Sequence, residues 1–352
     1  ERQTEAGKLS LADLDALAKK GQEFGKGVVS IVFGTGNPQE VALGFLASGR
    51  FDAEVQKKSA TEELFGLLRS TFEVEFASST PLETVRDRLA RYILTTDLVT
   101  CLGSAVPPSL RSAKVADSPG ARDTCVSTAR AWRLRRDVRD SYVTAARTVE
   151  KEGSLGQVEF DPTTIEDVET FPCLERCLLS HVEGSLLREP SQPLLDLALS
   201  RQSRFWSEVT PKIQARWALV AATAEVLLEA DRVAKALKDA PTTVPALVKA
   251  YAEGDQPWCL LDTHHRHMES RWYNFESDSG DHHAGLDGLI LKARSRYTEV
   301  GGELSRCFVT RYAKAKHPIS GMLRQAQVFE TEVKPRLGDG KVAYVWVDAL
   351  RF

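Results

Sequence analysis

Apolar residues recur every three or four positions along most of the chain, which predicts helices. The pattern starts at Thr80 with TPLETVRDRLARYILTTDLVTCL and continues to about residue 335. Its longest strongly apolar run is TPKIQARWALVAATAEVLLEADRVAKALKD, residues 210–239. We therefore predict an all-helical, bundle-like domain over residues 80–337 and a fold that is mainly α.

Residues 1–79 show a mixed pattern. SLADLDALAKK has helical spacing, whereas VVSIVF, residues 28–33, is a short run rich in β-branched side chains that predicts a buried strand. EVEF, residues 73–76, is a candidate for a second short strand. The sequence thus predicts a small N-terminal α/β segment.

The pattern changes again near the last residues, where Pro335 and two glycines end the helical period. VAYVWV, residues 342–347, is continuously apolar and predicts a strand buried on both faces, as in a parallel sheet. Asp348 follows this run directly, at the end of a strand where α/β proteins bind ligands. A carboxylate in that position suits a divalent cation, although an aspartate that caps the next helix fits the same spacing equally well.

Composition limits the possible functions. The 352 residues allow two or three domains, and 42% hydrophobic with 27% charged residues is typical of a globular protein. The formal net charge of −3 provides no overall electrostatic attraction for nucleic acid or an anionic membrane. No apolar stretch approaches the length of a membrane span, and no secretory signal is recognisable at Glu1. We expect a cytoplasmic protein without a membrane partner.

Six cysteines are scattered along the chain, and only Cys173 and Cys177 are close together. Their spacing is neither that of a redox pair nor that of a zinc knuckle. We predict free thiols in a reducing compartment, acting as small core residues.

FGTGNPQE, residues 33–40, places glycines before a predicted helix, a pattern that can bind phosphate. The segment lacks a lysine and lacks the spacing of the known phosphate-binding loops. The favoured interpretation is a glycine turn in which Asn37 caps the helix, Pro38 occupies its first position and Glu40 completes the cap.

Residues 262–283 contain five of the seven histidines. The H-E-x-x-H spacing of a zinc protease is missing. His282 and His283, together with Asp278 and Asp281, could hold a metal loosely. The favoured interpretation is a helix with a polar face, followed by a solvated turn.

A long helix with a basic middle is predicted over residues 122–153, and its segment RAWRLRRDVRD contains five arginines. Arg133 and Arg136, with Arg139 as a further candidate, could form a basic ridge that contacts phosphates. Asp137 and Asp140 provide acidic partners on the same helix, so a solvated, salt-bridged face is favoured over a nucleic-acid site.

The final residues VAYVWVDALRF resemble the opening strand of the PglZ domain, which is named for the phage growth limitation system and occurs in bacteriophage exclusion systems. That domain belongs to the alkaline-phosphatase-like superfamily, whose first core strand ends in a metal-binding aspartate, written as apolar residues followed by V-D-[AG]-[LM]-R. The motif covers about the last dozen residues. The helical region and GTGNPQEVALGFL resemble, less specifically, the amino-terminal part of such phage-defence proteins.

The resemblance implies that residues 338–352 begin an α/β domain and that the full-length protein is a divalent-metal phosphoester hydrolase, with zinc as the expected ion. Asp348 matches the first metal ligand, and Arg351 matches a recurrent arginine to which we assign no role. The serine or threonine nucleophile and the other ligands follow the motif in such enzymes. We therefore expect this chain alone to be inactive and to bind no metal tightly.

The partners that the resemblance implies are other phage-defence proteins, with DNA as a further candidate. The alternative is a non-enzymatic, all-helical interaction scaffold whose last strand pairs at an edge. Such a scaffold could also contact nucleic acid through its arginine-rich segment.

Overall fold

The computed structural model describes residues 27–279, 284–315, 319–320, 323–338 and 340–343. Helices account for most of these residues, and none of these residues forms a strand. The predicted mainly helical fold is therefore confirmed. The chain divides into two compact units, Glu1–Leu178 and Leu179–Phe352.

The described helices of the first unit are α1 (Gly27–Phe33), α2 (Pro38–Ala47), α3 (Asp52–Lys57), α4 (Thr61–Phe72), α5 (Leu82–Leu102), α6 (Pro119–Leu134) and α7 (Arg139–Glu152). Single 3-10 turns lie at Gly49–Phe51, Gly103–Ala105, Pro108–Leu110, Leu155–Gln157 and Pro162–Thr164. Helix α8 (Pro172–Arg188) begins in the first unit and ends in the second.

The strand predicted for VVSIVF is wrong, because these residues form α1. The Glu63 carboxylate accepts hydrogen bonds from the backbone N–H groups of Val28 (3.0 Å) and Val29 (3.1 Å) at the start of the helix. Gly27 has a φ of +79°, and a Cβ there would lie 1.9 Å from a Glu63 oxygen, so only glycine fits. A carboxylate 35 residues away thus stabilises a helix against the β-preference of its residues.

The second predicted strand, EVEF, is irregular, and its Glu73 ends α4 in a left-handed conformation. In residues 27–79, the described part of the predicted α/β segment, helices and irregular backbone replace both predicted strands. The helix predicted for SLADLDALAKK lies outside the described residues. Helix α2 packs against α5, α6 and α7. The compact units divide between Leu178 and Leu179, whereas the sequence predicted a change of domain at Thr80.

The long helix predicted over residues 122–153 is interrupted. Arg135 is extended, with φ −80° and ψ 123°, and it ends α6 before α7 begins at Arg139. Fully buried Trp132 joins the two helices: its indole N–H donates to Ser141 Oγ at 2.8 Å, and its ring meets Tyr142 edge-on with 5.5 Å between centroids. The break lets both apolar faces pack into the same core.

The described helices that lie wholly in the second unit are α9 (Gln192–Arg201), α10 (Phe205–Val209), α11 (Pro211–Leu237), α12 (Val244–Ala252), α13 (Leu260–Ser279) and α14 (Ala284–Lys314). Short 3-10 and π turns follow at Gln325–Gln327, Phe329–Val333 and Lys334–Gly338. Residues 340–343 are irregular, and the remainder of the predicted final strand, residues 344–347, lies outside the described residues.

Helix α11 is the hydrophobic centre of the second unit, and it packs against α9, α10, α13 and α14. Trp217, Val220 and Val226 are fully buried, and alanines between them allow neighbouring helices to approach closely. Each fully buried valine or leucine stabilises the fold by about 1.5–3 kcal/mol. Despite its 27 residues, neither α11 nor any other described helix combines the length and apolarity needed to cross a membrane.

Charged side chains tie the end of α8 into the second unit. Glu183 is 2% exposed, and both of its oxygens accept hydrogen bonds from Arg216 of α11, at 2.7 and 2.8 Å. The Lys292 ammonium of α14 donates to the carbonyl groups of Leu186 (3.0 Å) and Leu187 (2.9 Å). A cation at the last carbonyl groups of a helix is favourable because it complements their partial negative charge.

Replacement of Glu63 by alanine should lower the free energy of unfolding by about 1 kcal/mol, because two helix N–H groups lose their acceptor. Urea denaturation followed by circular dichroism measures this change. Glu62→Ala is the matched control, since it removes a carboxylate from the same turn of α4 without touching α1. Equal effects of the two substitutions would contradict the capping role.

Candidate functional site

Asp348 and Arg351, the residues that the resemblance assigns to a metal site, lie outside the described residues. His282 and His283 also fall in an undescribed part, residues 280–283. In the part of the chain that the structure describes, no group of three or more His, Cys, Asp or Glu side chains could hold a metal ion.

The glycine segment forms the predicted turn and helix cap. Asn37 Oδ1 accepts hydrogen bonds from the N–H groups of Gln39 (2.9 Å) and Glu40 (3.3 Å), and Pro38 is the first residue of α2. The Glu40 side chain does not complete the cap as predicted, because it pairs with Arg135. The cap engages two of the amide groups that would otherwise be available to bind a phosphate.

The arginine-rich segment does not form a continuous basic ridge. Arg135 pairs with Asp137, at 2.7 Å, and with Glu40, and these two hydrogen bonds raise the pKa of Arg135. The side chain of Arg133 is largely buried and lies 3.6 Å from Glu169. The segment carries salt bridges, as predicted, but the predicted spacing of four residues is wrong for these pairs: Arg135 pairs with Asp137 and Glu40, and the largely buried Arg133 lies beside Glu169.

All six cysteines are free, as predicted. Cys125, Cys173 and Cys259 are buried, which confirms the predicted core role for these three. Burial raises the pKa of the Cys125 thiol to about 12 and also raises the pKa of Cys173. Both thiols are protonated at neutral pH, and a protonated thiol is a poor nucleophile.

A buried acid, Asp97, lies in the core of the first unit and is 4% exposed. Thr170 Oγ1 donates to the Asp97 carboxylate at 2.6 Å, and the Tyr142 hydroxyl donates to the Thr170 carbonyl at 3.0 Å. Burial raises the pKa of Asp97, while the Thr170 hydrogen bond and the charge of Arg133 oppose this rise. Through these contacts Thr170, in the segment before α8, is hydrogen-bonded to both α5 and α7.

The second unit contains a cavity of about 750 Å³ between α12, α13 and α14. Much of its wall is apolar and is formed by Leu247, Val248, Leu304, Phe308 and Val309. Tyr251, Asp262 and Tyr297 form a polar cluster in the same wall. An apolar cavity with a few convergent polar groups has the character of a ligand-binding site.

The two carboxylate oxygens of Asp262 each accept a hydrogen bond from a tyrosine. The Tyr251 hydroxyl donates to Oδ2 at 2.5 Å, and the Tyr297 hydroxyl donates to Oδ1 at 2.7 Å. Burial, followed by the hydrogen bond to Asp262, raises the pKa of Tyr251, so this hydroxyl remains a donor at neutral pH. The carboxylate is therefore held in one orientation by neutral groups from α12 and α14.

A second group of polar side chains lies next to Tyr297. The His265 ring stacks on the Tyr297 ring, with 3.8 Å between centroids and an 8° angle between planes. His265 lies 3.5 Å from Glu269, and Glu269 accepts two hydrogen bonds of 2.7 Å from Arg294. Burial lowers the pKa of His265 despite the nearby Glu269, so the imidazole is neutral at neutral pH.

The sequence drew attention to the histidines of α13, whereas Asp262 is the residue of this segment that lines the cavity. His264 and His265 instead approach Glu225 and Glu269 at 3.4 and 3.5 Å, which agrees with the predicted polar helix face. Asp262 was missed because its tyrosine partners come from two other helices. Both tyrosine hydroxyls donate to Asp262, and the raised pKa of Tyr251 keeps its hydroxyl protonated, so the cluster is better suited to binding than to nucleophilic attack.

Asp97→Asn should make the free energy of unfolding less dependent on pH. The carboxyl group has an ordinary pKa of 3.8 and a higher pKa when folded, because burial disfavours its charge. The folded protein therefore keeps the proton to higher pH, and this contribution to stability is lost as the pH rises from 3.8 through the folded pKa.

Urea unfolding of the wild type and the variant over a pH series measures this effect. The difference in stability should shift towards the variant as the pH rises through that window. Asp87→Asn on the exposed side of α5 is the control for removal of a carboxylate from the same helix. If the wild type and Asp97→Asn differed in their free energy of unfolding by the same amount at every pH, the raised pKa of Asp97 would be contradicted.

The combined charge reversals Arg130→Glu and Arg136→Glu should leave the affinity for duplex DNA unchanged. The helix breaks at Arg135, and Arg133 and Arg135 are paired with acids, so the two exposed arginines are not part of a continuous basic ridge. Fluorescence anisotropy at about 50 and 200 mM salt measures affinity and its salt dependence. A marked loss of affinity together with a shallower salt dependence would show instead that this segment binds DNA.

Comparison with protein-family models, with curated proteins and with solved structures finds no match to this chain. The functional proposals therefore depend on its own residues and on the resemblance of its last residues to the PglZ motif.

Proposed function

We propose that this chain comprises the amino-terminal and helical regions of a PglZ-type phage-defence protein whose full-length form is a divalent-metal phosphoester hydrolase. The observation that carries the proposal is the final sequence VAYVWVDALRF, in which Asp348 and Arg351 occupy the positions of the family pattern. The mainly helical character of the region before the motif supports it, since that is what the resemblance implies.

In this proposal Asp348 is the first ligand of the metal, with zinc as the expected ion. Its carboxylate follows a continuous apolar run and so has the position of a ligand at the end of a buried strand. A site that holds two ions around a phosphoryl group needs several ligands, and one carboxylate does not suffice. Activity therefore requires the ligands and the nucleophile that follow the motif in the family.

The helical units serve, in the same proposal, to bind other components of the defence system. Two buried acidic side chains support a non-catalytic role, because both are engaged in structural contacts. Asp97 binds Thr170, and Glu183 binds Arg216. These contacts also favour the second candidate function, a helical interaction scaffold without any enzymatic domain.

The test uses the product of the complete gene and its Asp348→Asn variant. We expect the wild type to contain a divalent metal and to hydrolyse bis-p-nitrophenyl phosphate, and the variant to lose both properties together. The reason is that the amide oxygen is a weaker ligand than the carboxylate. Elemental analysis and release of p-nitrophenol measure the two effects.

Asp123→Asn, on an exposed side of α6, is the matched control and should keep both metal and activity. Unchanged metal content and activity in the Asp348 variant would contradict the role of Asp348 as a metal ligand and favour its role as a helix cap. A wild-type protein with neither metal nor activity would favour the scaffold.

A further inference from the structure

We propose that the cavity between α12, α13 and α14 binds a small organic cation with an apolar body, such as an arylalkyl ammonium ion. The inference goes beyond the hydrolase proposal, because it assigns a ligand site to the helical region. It depends only on described residues of the second unit.

The size and the lining of the cavity fit such a ligand. Its volume of about 750 Å³ falls within the range of about 300–1,000 Å³ that is usual for small-molecule sites. Leu247, Leu304 and Phe308 provide apolar surface for the body of the ligand. Val309 lines the cavity while remaining 62% exposed, so the apolar wall extends to the solvent.

The charge of the cavity selects a cation. Each Asp262 oxygen accepts one tyrosine hydrogen bond and keeps a lone pair for another donor. Among the described residues, no lysine, arginine or histidine lies within 4.0 Å of this carboxylate. An ammonium group would supply both the missing positive charge and the N–H donors.

Neighbouring groups do not neutralise Asp262. The charge of Arg294 is matched by Glu269 through two hydrogen bonds. His265 has a lowered pKa because it is partly buried, so it adds no positive charge at neutral pH. The aromatic rings of Tyr251, Tyr297 and Phe308 add surfaces of the kind that attract organic cations.

Gly301 and Gly302 form part of the cavity wall, near the middle of the 31-residue helix α14. Glycine in the interior of a helix makes the helix less stable than alanine does. A Cβ at Gly301 would have no atom within 4 Å, so close packing does not explain the glycine. The position instead faces open space, and the missing side chain leaves room beside the Tyr–Asp–Tyr cluster.

Three indole compounds of similar shape test the charge preference: tryptamine is a cation, tryptophol is neutral and indole-3-acetate is an anion. Isothermal titration calorimetry at neutral pH should show that tryptamine binds at least about tenfold more tightly than tryptophol. Indole-3-acetate should bind most weakly because it meets a like charge. Equal affinities of the three compounds would overturn the proposal.

Asp262→Asn should reduce the affinity for tryptamine to about that for tryptophol, while the affinity for tryptophol stays the same. This pattern separates loss of the charge from a general disturbance of the cavity. Tryptamine binding that is unchanged in a folded Asp262→Asn variant would overturn the assignment of the carboxylate.

Gly301→Phe should weaken the binding of tryptamine, because a phenyl ring at this lining position takes up part of the space beside the Tyr–Asp–Tyr cluster. Gly301→Ala should retain binding because the added methyl group meets open space. Gly66→Phe is the control for a phenylalanine placed in an exposed part of another helix, and it should leave binding intact. Thermal unfolding confirms that each variant is folded. Tight binding by Gly301→Phe would place the ligand elsewhere.

Discussion

Backbone groups at helix ends need partners, and this requirement is the constraint on which the helical fold depends. In several places these backbone groups are hydrogen-bonded by side chains that are distant in sequence. Glu63 accepts from the first N–H groups of α1, and Glu150 accepts from the Cys173 N–H in the first turn of α8. Arg311 donates to carbonyl groups just beyond the end of α11. Helix termini and tertiary packing are therefore specified by the same contacts.

The helices of the second unit could be predicted because their apolar spacing is strong. The run predicted over residues 210–239 corresponds to α11, which buries residues over most of its length. Local patterning failed where a distant partner decides the outcome. VVSIVF has the composition of a strand, but Glu63 stabilises its helical form, and nothing within the segment indicates that contact.

The break before α7 was missed for a related reason. Arginine is a good helix former, so residues 122–153 have continuous helical propensity. The chain bends at Arg135 because Trp132 and Tyr142 can then share one core. The Tyr–Asp–Tyr cluster was likewise not predictable, since its members come from α12, α13 and α14. For Asp348 the reverse holds: the sequence motif predicts a metal ligand, but the residue lies outside the described part of the chain.

The Lys292 contact has a consequence for the order in which the second unit forms. The carbonyl groups that it binds belong to residues up to 106 positions earlier. At a synthesis rate of about 5–20 residues per second, roughly 5–20 s separate the two on the ribosome. The contact between Lys292 and the carboxyl end of α8 can therefore form only after this interval, whatever the rest of the unit has already done.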